Sequence, residues 1–262
     1  MADKARRKMK IVRIMYDNYW DKSYGPITFN SETTDHEADK TQHYWLRKAY
    51  RSTGVAAEWL KRRLQVVPRL GVNAFIIDNH NFTNVATLRI QANNVDAWGA
   101  PTVNVLLPIT SDIIVCFWNQ TQYYNYWRVN MADAGNSAGY LQAGRIFLGL
   151  YTTLSRSFDT VHPITYSDPS IKILSDTRQV SSVTKEKYKA WEYDFTRMNA
   201  ADMAIFQTAW SIIGRFKPYY ICEDPDVRST TTHYVQNIGS WDIPHVLMDE
   251  QYDLSIAVRE AK

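Results

Sequence analysis

Two apolar-polar runs separated by a short polar turn constrain this chain more than any other stretch. Residues 123–131 are rich in Tyr and Trp and end in Ala132-Asp133-Ala134-Gly135-Asn136. Residues 139–149 then read Gly-Tyr-Leu-Gln-Ala-Gly-Arg-Ile-Phe-Leu-Gly. A polar turn between two alternating runs predicts a β-hairpin. In the second run Leu141, Ala143, Ile146 and Leu148 change phase at Gly144, where a glycine would absorb a bulge. A pair of this kind is expected to close a β-sandwich.

At 262 residues the chain has room for one large domain or two ordinary ones. Its 45% hydrophobic and 22% charged content fits a packed globule and excludes a disordered chain. The aromatic set leans to amphipathic rings, with 17 Tyr and 9 Trp against 9 Phe. Such rings bury a face and keep a polar tip, which suits sandwich edges, subunit interfaces or ligand platforms. A net charge of +3 gives no ground for nucleic-acid specificity. The basic run Lys4-Ala5-Arg6-Arg7-Lys8-Met9-Lys10 reads as a solvated tail, with contact to an acidic partner as the alternative.

Cys116 lies inside the run Ile113-Ile114-Val115-Cys116-Phe117-Trp118 and is expected to be a buried free thiol. With Cys222 as its only companion there is no disulfide framework and no zinc spacing, which fits folding in a reducing cytoplasm. No apolar h-region follows the basic start, and no run approaches the ~18 apolar residues of a membrane span. A soluble protein without a membrane span is expected.

Strands are predicted near residues 10–19, 72–77, 87–92 and 113–118, with a polar loop over 21–43. Short strands at regular spacing indicate a sandwich or jelly roll. Residues 152–170, rich in Ser, Thr and Asp with Pro163 and Pro169, read as an inter-domain crossover. Beyond it, strands are predicted at 171–174, 185–197, 218–223, 231–238 and 252–259. One helix stands out. Asn199 is placed to cap it, Met203, Phe206, Trp210 and Ile213 share a face, and Gly214 is placed to end it.

Several of these stretches carry a family likeness. Trp45 with Tyr50-Arg51-Ser52, then Glu58-Trp59-Leu60, Phe75-Ile76-Ile77-Asp78-Asn79-His80-Asn81, Trp127-Arg128-Val129 and residues 144–149 resemble the galactose-binding-like, discoidin type-C β-sandwich. Two features depart from it. Lys61-Arg62-Arg63-Leu64-Gln65 stands where that family carries Asp-Leu-Gly, and the end-to-end disulfide of secreted members is absent. Trp191-Glu192-Tyr193-Asp194-Phe195, the helix from Ala200, Tyr219-Tyr220-Ile221-Cys222-Glu223-Asp224-Pro225 and residues 252–260 resemble the ring-forming domain of distal tail and minor tail (baseplate) proteins of tailed bacteriophages.

The resemblance implies a mainly β chain in three parts. Residues 1–39 would form an arm and strand belonging to the ring domain. Residues 40–151 would form a galactose-binding-like jelly-roll sandwich, and 152–262 a tail-tube-like β domain with one packed α-helix. It implies a structural virion protein, made in the host cytoplasm, whose partners are other copies in a ring, the tail tube and tail-tip or hub proteins. The alternative is a carbohydrate-binding module that meets host-surface glycan.

Chemistry is thinly supported. The cluster Asp35-His36-Glu37, Asp39 and His43 holds metal-ligand types, but it lies in a polar loop with no closing apolar shell and reads as a solvated acidic loop rather than a metal site. Asp78 and His80 read as turn-satisfying side chains, with an ion or sugar hydroxyl as the other option. There is no nucleophile elbow and no glycine-rich phosphate loop. No catalytic residue, cofactor or metal is assigned. Sugar binding needs rings and amides together, and two inter-strand connections offer them. One runs from Asn93 through Asn94 and Asp96 to Trp98; the other runs from Asn119 to Tyr123 and Tyr124. Asn94, Asp96, Trp98, Tyr123 and Tyr124 are therefore candidates for contact with glycan or with a neighbouring subunit.

Overall fold

The computed structural model describes residues 11–64, 69–110, 113–159, 163–174, 180–241, 245–246 and 251–262. The basic run 4–10 and His162 lie outside the described residues. The chain is mainly β, and its strands build two packed sheets of a sandwich, a third large sheet and one long helix. Every strand pair in the three sheets is antiparallel.

The outer sandwich sheet has five strands in the order Ile27–Phe29, Glu58–Arg63, Tyr126–Ala132, Thr87–Asn93 and Val103–Leu106. The inner one has four, in the order Tyr50–Arg51, Gln142–Gly149, Val72–His80 and Ile113–Gln122. Between them lies an apolar core that includes Trp20, Phe75, Ile90, Trp127, Val129 and Leu148. Alternation along Glu58–Arg63 and Tyr126–Ala132 sends every second side chain into this core.

The expected hairpin is not there. Tyr126–Ala132 pairs with Glu58–Arg63 and Thr87–Asn93, whereas Gln142–Gly149 pairs with Tyr50–Arg51 and Val72–His80. The polar turn is an arch from one sheet to the other. Asp133 holds it by accepting from the Thr83 amide at 2.7 Å and the Thr83 hydroxyl at 2.7 Å. Turn chemistry alone does not distinguish an arch from a hairpin, because both need polar residues that satisfy their own backbone.

The phase change at Gly144 is present, but no residue is inserted. Ala143 faces His80 and Arg145 faces Asp78, so the register is the same on both sides of the glycine. Asn79, at φ 54°, makes the matching departure on the neighbouring strand. A Cβ on Gly144 would lie 2.8 Å from the Asn79 Cβ and 3.0 Å from two carbonyl oxygens, so only glycine fits there.

The third sheet has eight strands. Seven run in the order Thr152–Thr153, Arg13–Met15, Tyr219–Cys222, Thr232–Asn237, Gln251–Glu260, Tyr188–Met198 and Ile164–Ser167, and His245–Val246 adds to Gln251–Glu260. The chain thus enters this sheet at Arg13, leaves it for the sandwich strands, and returns at Thr152. Residues 152–170, read as a crossover, contribute two of these strands. Ile27–Phe29, inside the stretch read as a loop, belongs to the sandwich. Among the described residues Ile171–Leu174 pairs only with Val180–Val183, as a separate two-stranded ribbon.

One face of the eight-stranded sheet packs on the inner sandwich sheet through Met15, Ala74, Ile76, Val115, Phe147, Tyr220 and Tyr234. This is why Gln142–Gly149 is buried on both faces and reads as a nearly continuous apolar run. The short helix Arg228–Thr231 reinforces the junction, with Arg228 Nε donating to the Val115 carbonyl at 2.9 Å. Cys116 and Cys222 are free and buried. Burial pushes the Cys116 thiol up to about 11, which leaves it protonated and inert at neutral pH.

The helix Ala200–Ile213 covers the other face. The Asn199 side chain accepts from the Asp202 amide at 2.8 Å, and Gly214 ends the helix at φ 53°. Asp202 does not reach back to the cap; it accepts from the Ser155 amide at 2.9 Å and from the Ser155 hydroxyl. Met203, Phe206, Ala209 and Ile213 form the buried stripe. Trp210, expected on this apolar face, sits half-buried at its margin with its ring 5.0 Å from that of Trp241. The i, i+4 step from Phe206 satisfies the periodicity, but Ala209 is the residue that meets the sheet. No described helix is long and apolar enough to cross a membrane.

Candidate functional site

The five-stranded sheet turns one face to the core and the other outward. On the outward face, cross-strand register aligns three rows of side chains. Trp59 lies beside Asn130, Arg89 and Leu106. Lys61 lies beside Arg128, Gln91 and Asn104. Arg63 lies beside Tyr126 and Asn93. Amides, cations and indole or phenol rings are interleaved over one surface.

The connection after Thr87–Asn93 folds back over this surface and brings Trp98 with it. The Arg128 guanidinium carbon lies 4.4 Å from the Trp98 ring centroid, a cation–π stack. The Trp98 indole Nε1 donates to Asp96 Oδ1 at 2.7 Å, and Lys61 Nζ pairs with Asp96 Oδ2 at 2.5 Å. The Lys61 ammonium, foremost, holds the Asp96 carboxyl below its ordinary range, so it is ionised at neutral pH. Arg128 is oriented in turn by Gln91, whose Oε1 accepts from Nε at 2.8 Å and from Nη2 at 2.6 Å. Trp98 is thus fixed from one side by a stacked cation and at its edge by a carboxylate, while it stays part-exposed.

Asn94 links this loop to the end of the sandwich. Its carbonyl accepts from Asn125 Nδ2 at 3.1 Å, and its Oδ1 accepts from Arg69 Nη1 at 3.3 Å. The second predicted loop is shorter than expected. Asn119, Gln120, Thr121 and Gln122 belong to the strand Ile113–Gln122, and only residues 123–125 connect the sheets. The polar end of that strand still pairs, with Gln122 opposite Val72 beyond a register shift between Val72 and Ala74. Tyr123 is exposed. Tyr124 points inward, its ring 6.2 Å from that of buried Trp127, and serves the core.

The structure therefore gathers Asn94, Asp96 and Trp98, places Tyr123 at the adjoining end, and removes Tyr124 from the site. Lys61, Arg128 and Gln91 complete it without having been singled out. Their signal was the period-2 placement of polar residues on strands whose alternate positions are apolar, as in Trp59-Leu60-Lys61-Arg62-Arg63.

The other chemical candidates are occupied by local structure. His36 Nδ1 lies 2.8 Å from the Ala49 carbonyl, and Glu37 pairs with Lys40 at 2.9 Å. His80 Nδ1 accepts from the Phe82 amide at 3.2 Å. Among the described residues no group of three His, Cys, Asp or Glu side chains is arranged to hold a metal ion.

No family model matches the sequence, and no curated protein matches it. Solved structures similar to this chain include a Streptococcus pneumoniae fucose binding module, at 10% identity over 51% of this chain and 95% of that one, with a TM-score of 0.41. A chitosan-binding module from a Paenibacillus chitosanase/glucanase is 18% identical over 50% of this chain and 98% of that one, with a TM-score of 0.39. The lectin domain of lectinolysin, complexed with Lewis B antigen, is 10% identical over 51% and 96%, with a TM-score of 0.41. At these identities no site residue carries over from one chain to another.

Proposed function

We propose that this chain binds carbohydrate through the outer sheet and loop end of its sandwich, and that it performs no chemistry there. The observation that carries the reading is the mounting of Trp98. A sugar ring binds by laying its C–H face on an aromatic ring while fixed amides and charged groups take its hydroxyls. Trp98 is clamped by Arg128 and Asp96, so little ordering entropy is left to lose on binding. Asn93, Asn94 and Asn104, on the same sheet face and its loop, offer amides to the hydroxyls. Trp98→Ala is expected to weaken binding at least tenfold on a glycan array while leaving the thermal midpoint unchanged. A wild-type protein that binds nothing on arrays of host, bacterial and plant glycans would sink the reading.

A second, compatible reading rests on a different observation. Among the described residues the strand Ile164–Ser167 has a partner on one side only, and on it Ile164 is 50% and Tyr166 77% exposed. The neighbouring ribbon exposes Ile171, Ile173 and Val183. An open edge with apolar side chains is a template for another chain. We propose that copies join here into a closed ring, as the resemblance to phage distal tail proteins implies, within a virion tail that presents many sandwiches at once. Weak glycan contacts would then add through avidity. Light scattering over a concentration series, with negative-stain images, should show a closed ring that Tyr166→Lys weakens. A strict monomer at every concentration, alone and mixed with tail-tube protein, would remove this reading.

A further inference from the structure

We infer that the carbohydrate taken by the outer sheet face is acidic, a polysaccharide carrying carboxylate or sulfate groups along its length. The inference rests on the glycan reading above and names the class of glycan. Its starting point is a cost the fold does not need. Lys61 sits directly opposite Arg128 across two strands, and Arg63 lies two residues further along. Like charges directly opposite one another in a sheet are destabilising. Arg89, on the next strand, adds a fourth cation.

Among the described outward-facing residues of this sheet none is acidic, and Asp96, from the loop, is the one carboxylate paired into the face. The surplus is therefore positive and local, although the whole chain carries only +3. A concentrated patch of one sign recruits ligands of the other.

The shape of the patch separates an acidic sugar from other anions. Cations alternate with rings and amides instead of forming a continuous basic track. Arg63 lies 5.7 Å from the Tyr126 ring centroid, Lys61 5.4 Å from that of Trp59, and Arg128 4.4 Å from that of Trp98. Strands spaced about 5 Å apart, with same-face residues about 7 Å apart along each, offer a ring, an amide and a cation within reach of one sugar unit. Rings take C–H faces, Asn93, Asn104 and Asn130 take hydroxyls, and Lys61, Arg63 and Arg128 take the acid groups. Arginine is suited to a carboxylate or sulfate because its planar fork meets two oxygens at once.

The test uses the full chain and four polymers: polygalacturonate beside its methyl-esterified form, and dextran sulfate beside dextran. Affinity electrophoresis and calorimetry at low and physiological salt are expected to show at least tenfold tighter binding of one acidic polymer than of its neutral counterpart, weakening as salt rises. The acidic polymer that is bound tells carboxylate from sulfate. Arg128→Gln and Lys61→Gln should each reduce that binding about tenfold. Arg63→Gln, at an exposed side chain that the fold does not depend on, should reduce it severalfold with no change in thermal midpoint.

Equal binding of the acidic and neutral forms would overturn the acidic assignment and leave the glycan reading standing. So would tight binding of a neutral array glycan with neither acidic polymer bound. Inorganic polyphosphate bound as tightly as the acidic polymer, with the same losses in the variants, would show an undiscriminating anion surface and also overturn it. Binding of no glycan at all, acidic or neutral, would remove both readings together.

Discussion

Asp21→Ala is expected to cost about 3–5 kcal/mol of stability, because it strands a buried guanidinium. Asp21 is 6% exposed and Arg145 is 2% exposed, and their charged groups meet at 2.5 Å. Asn18 donates to the same carboxylate at 3.0 Å, and Lys217 stands 3.9 Å from its second oxygen. The three charged residues come from three parts of the chain: the N-terminal arm, the inner sandwich sheet, and the segment after the helix. Their meeting point lies at the seam between sandwich and third sheet. Removing the carboxylate leaves Arg145 in a site walled by Tyr44, Tyr220 and Tyr234, where water cannot replace its partner. Removing both charges is the instructive comparison. Asp21→Ala combined with Arg145→Met should recover a large part of the loss, since an apolar pair spares the desolvation of two ions. Urea titrations followed by Trp fluorescence would measure both. A loss below about 1 kcal/mol for the single variant would mean that the pair is hydrated and the seam is open.

That seam was invisible in the sequence, and the reason is physical. Periodicity reports which residues are apolar on each face of a strand, and so it marked residues 72–77 and 113–118, the apolar parts of the observed strands Val72–His80 and Ile113–Gln122. It does not report which other sheet each face meets. The apolar run 146–149 was legible as a strand, but the cause, burial between two sheets, needed the partner sheet to be in place. Gly144 was legible as a phase change because its spacing is local, but its crowding was not, because that comes from Asn79 and the Leu46 carbonyl, both distant in sequence. The helix read better because its signals are local. Asn199, Gly214 and the apolar stripe act within one or two turns.

The candidate site divides along the same line. Asn94, Asp96 and Trp98 were legible because the five loop residues 94–98 sufficed to place ring, amide and acid together. Lys61 and Arg128 were not, because cross-strand register joins residues that stand 67 positions apart. Tyr124 shows the converse error. Neighbouring tyrosines in one polar stretch look equivalent, yet a single step along an extended chain turns one ring outward and the next into the core.

Phe206→Ala is expected to be the other severe substitution, at about 3–5 kcal/mol. The ring is fully buried, 5.1 Å from that of Phe195 on the sheet and 5.7 Å from that of Trp241 beyond it. It is the largest side chain in the buried stripe of the helix, so its loss opens a cavity that Met203 and Ile213, anchored a turn or more away, do not fill. Trp210→Ala, by contrast, removes a larger ring from a half-exposed margin and should cost about 1–2 kcal/mol, since only the covered part of its surface returns to water. The order of the two variants carries the test, because residue size alone predicts the opposite order. Calorimetry also reads how far the damage spreads. The helix, the eight-stranded sheet and the inner sandwich sheet share buried layers on both faces, so Phe206→Ala should lower a single unfolding transition of the whole described fold. A variant in which Trp98 and Trp127 keep the wild-type midpoint while the helix melts early would show instead that the sandwich stands on its own core.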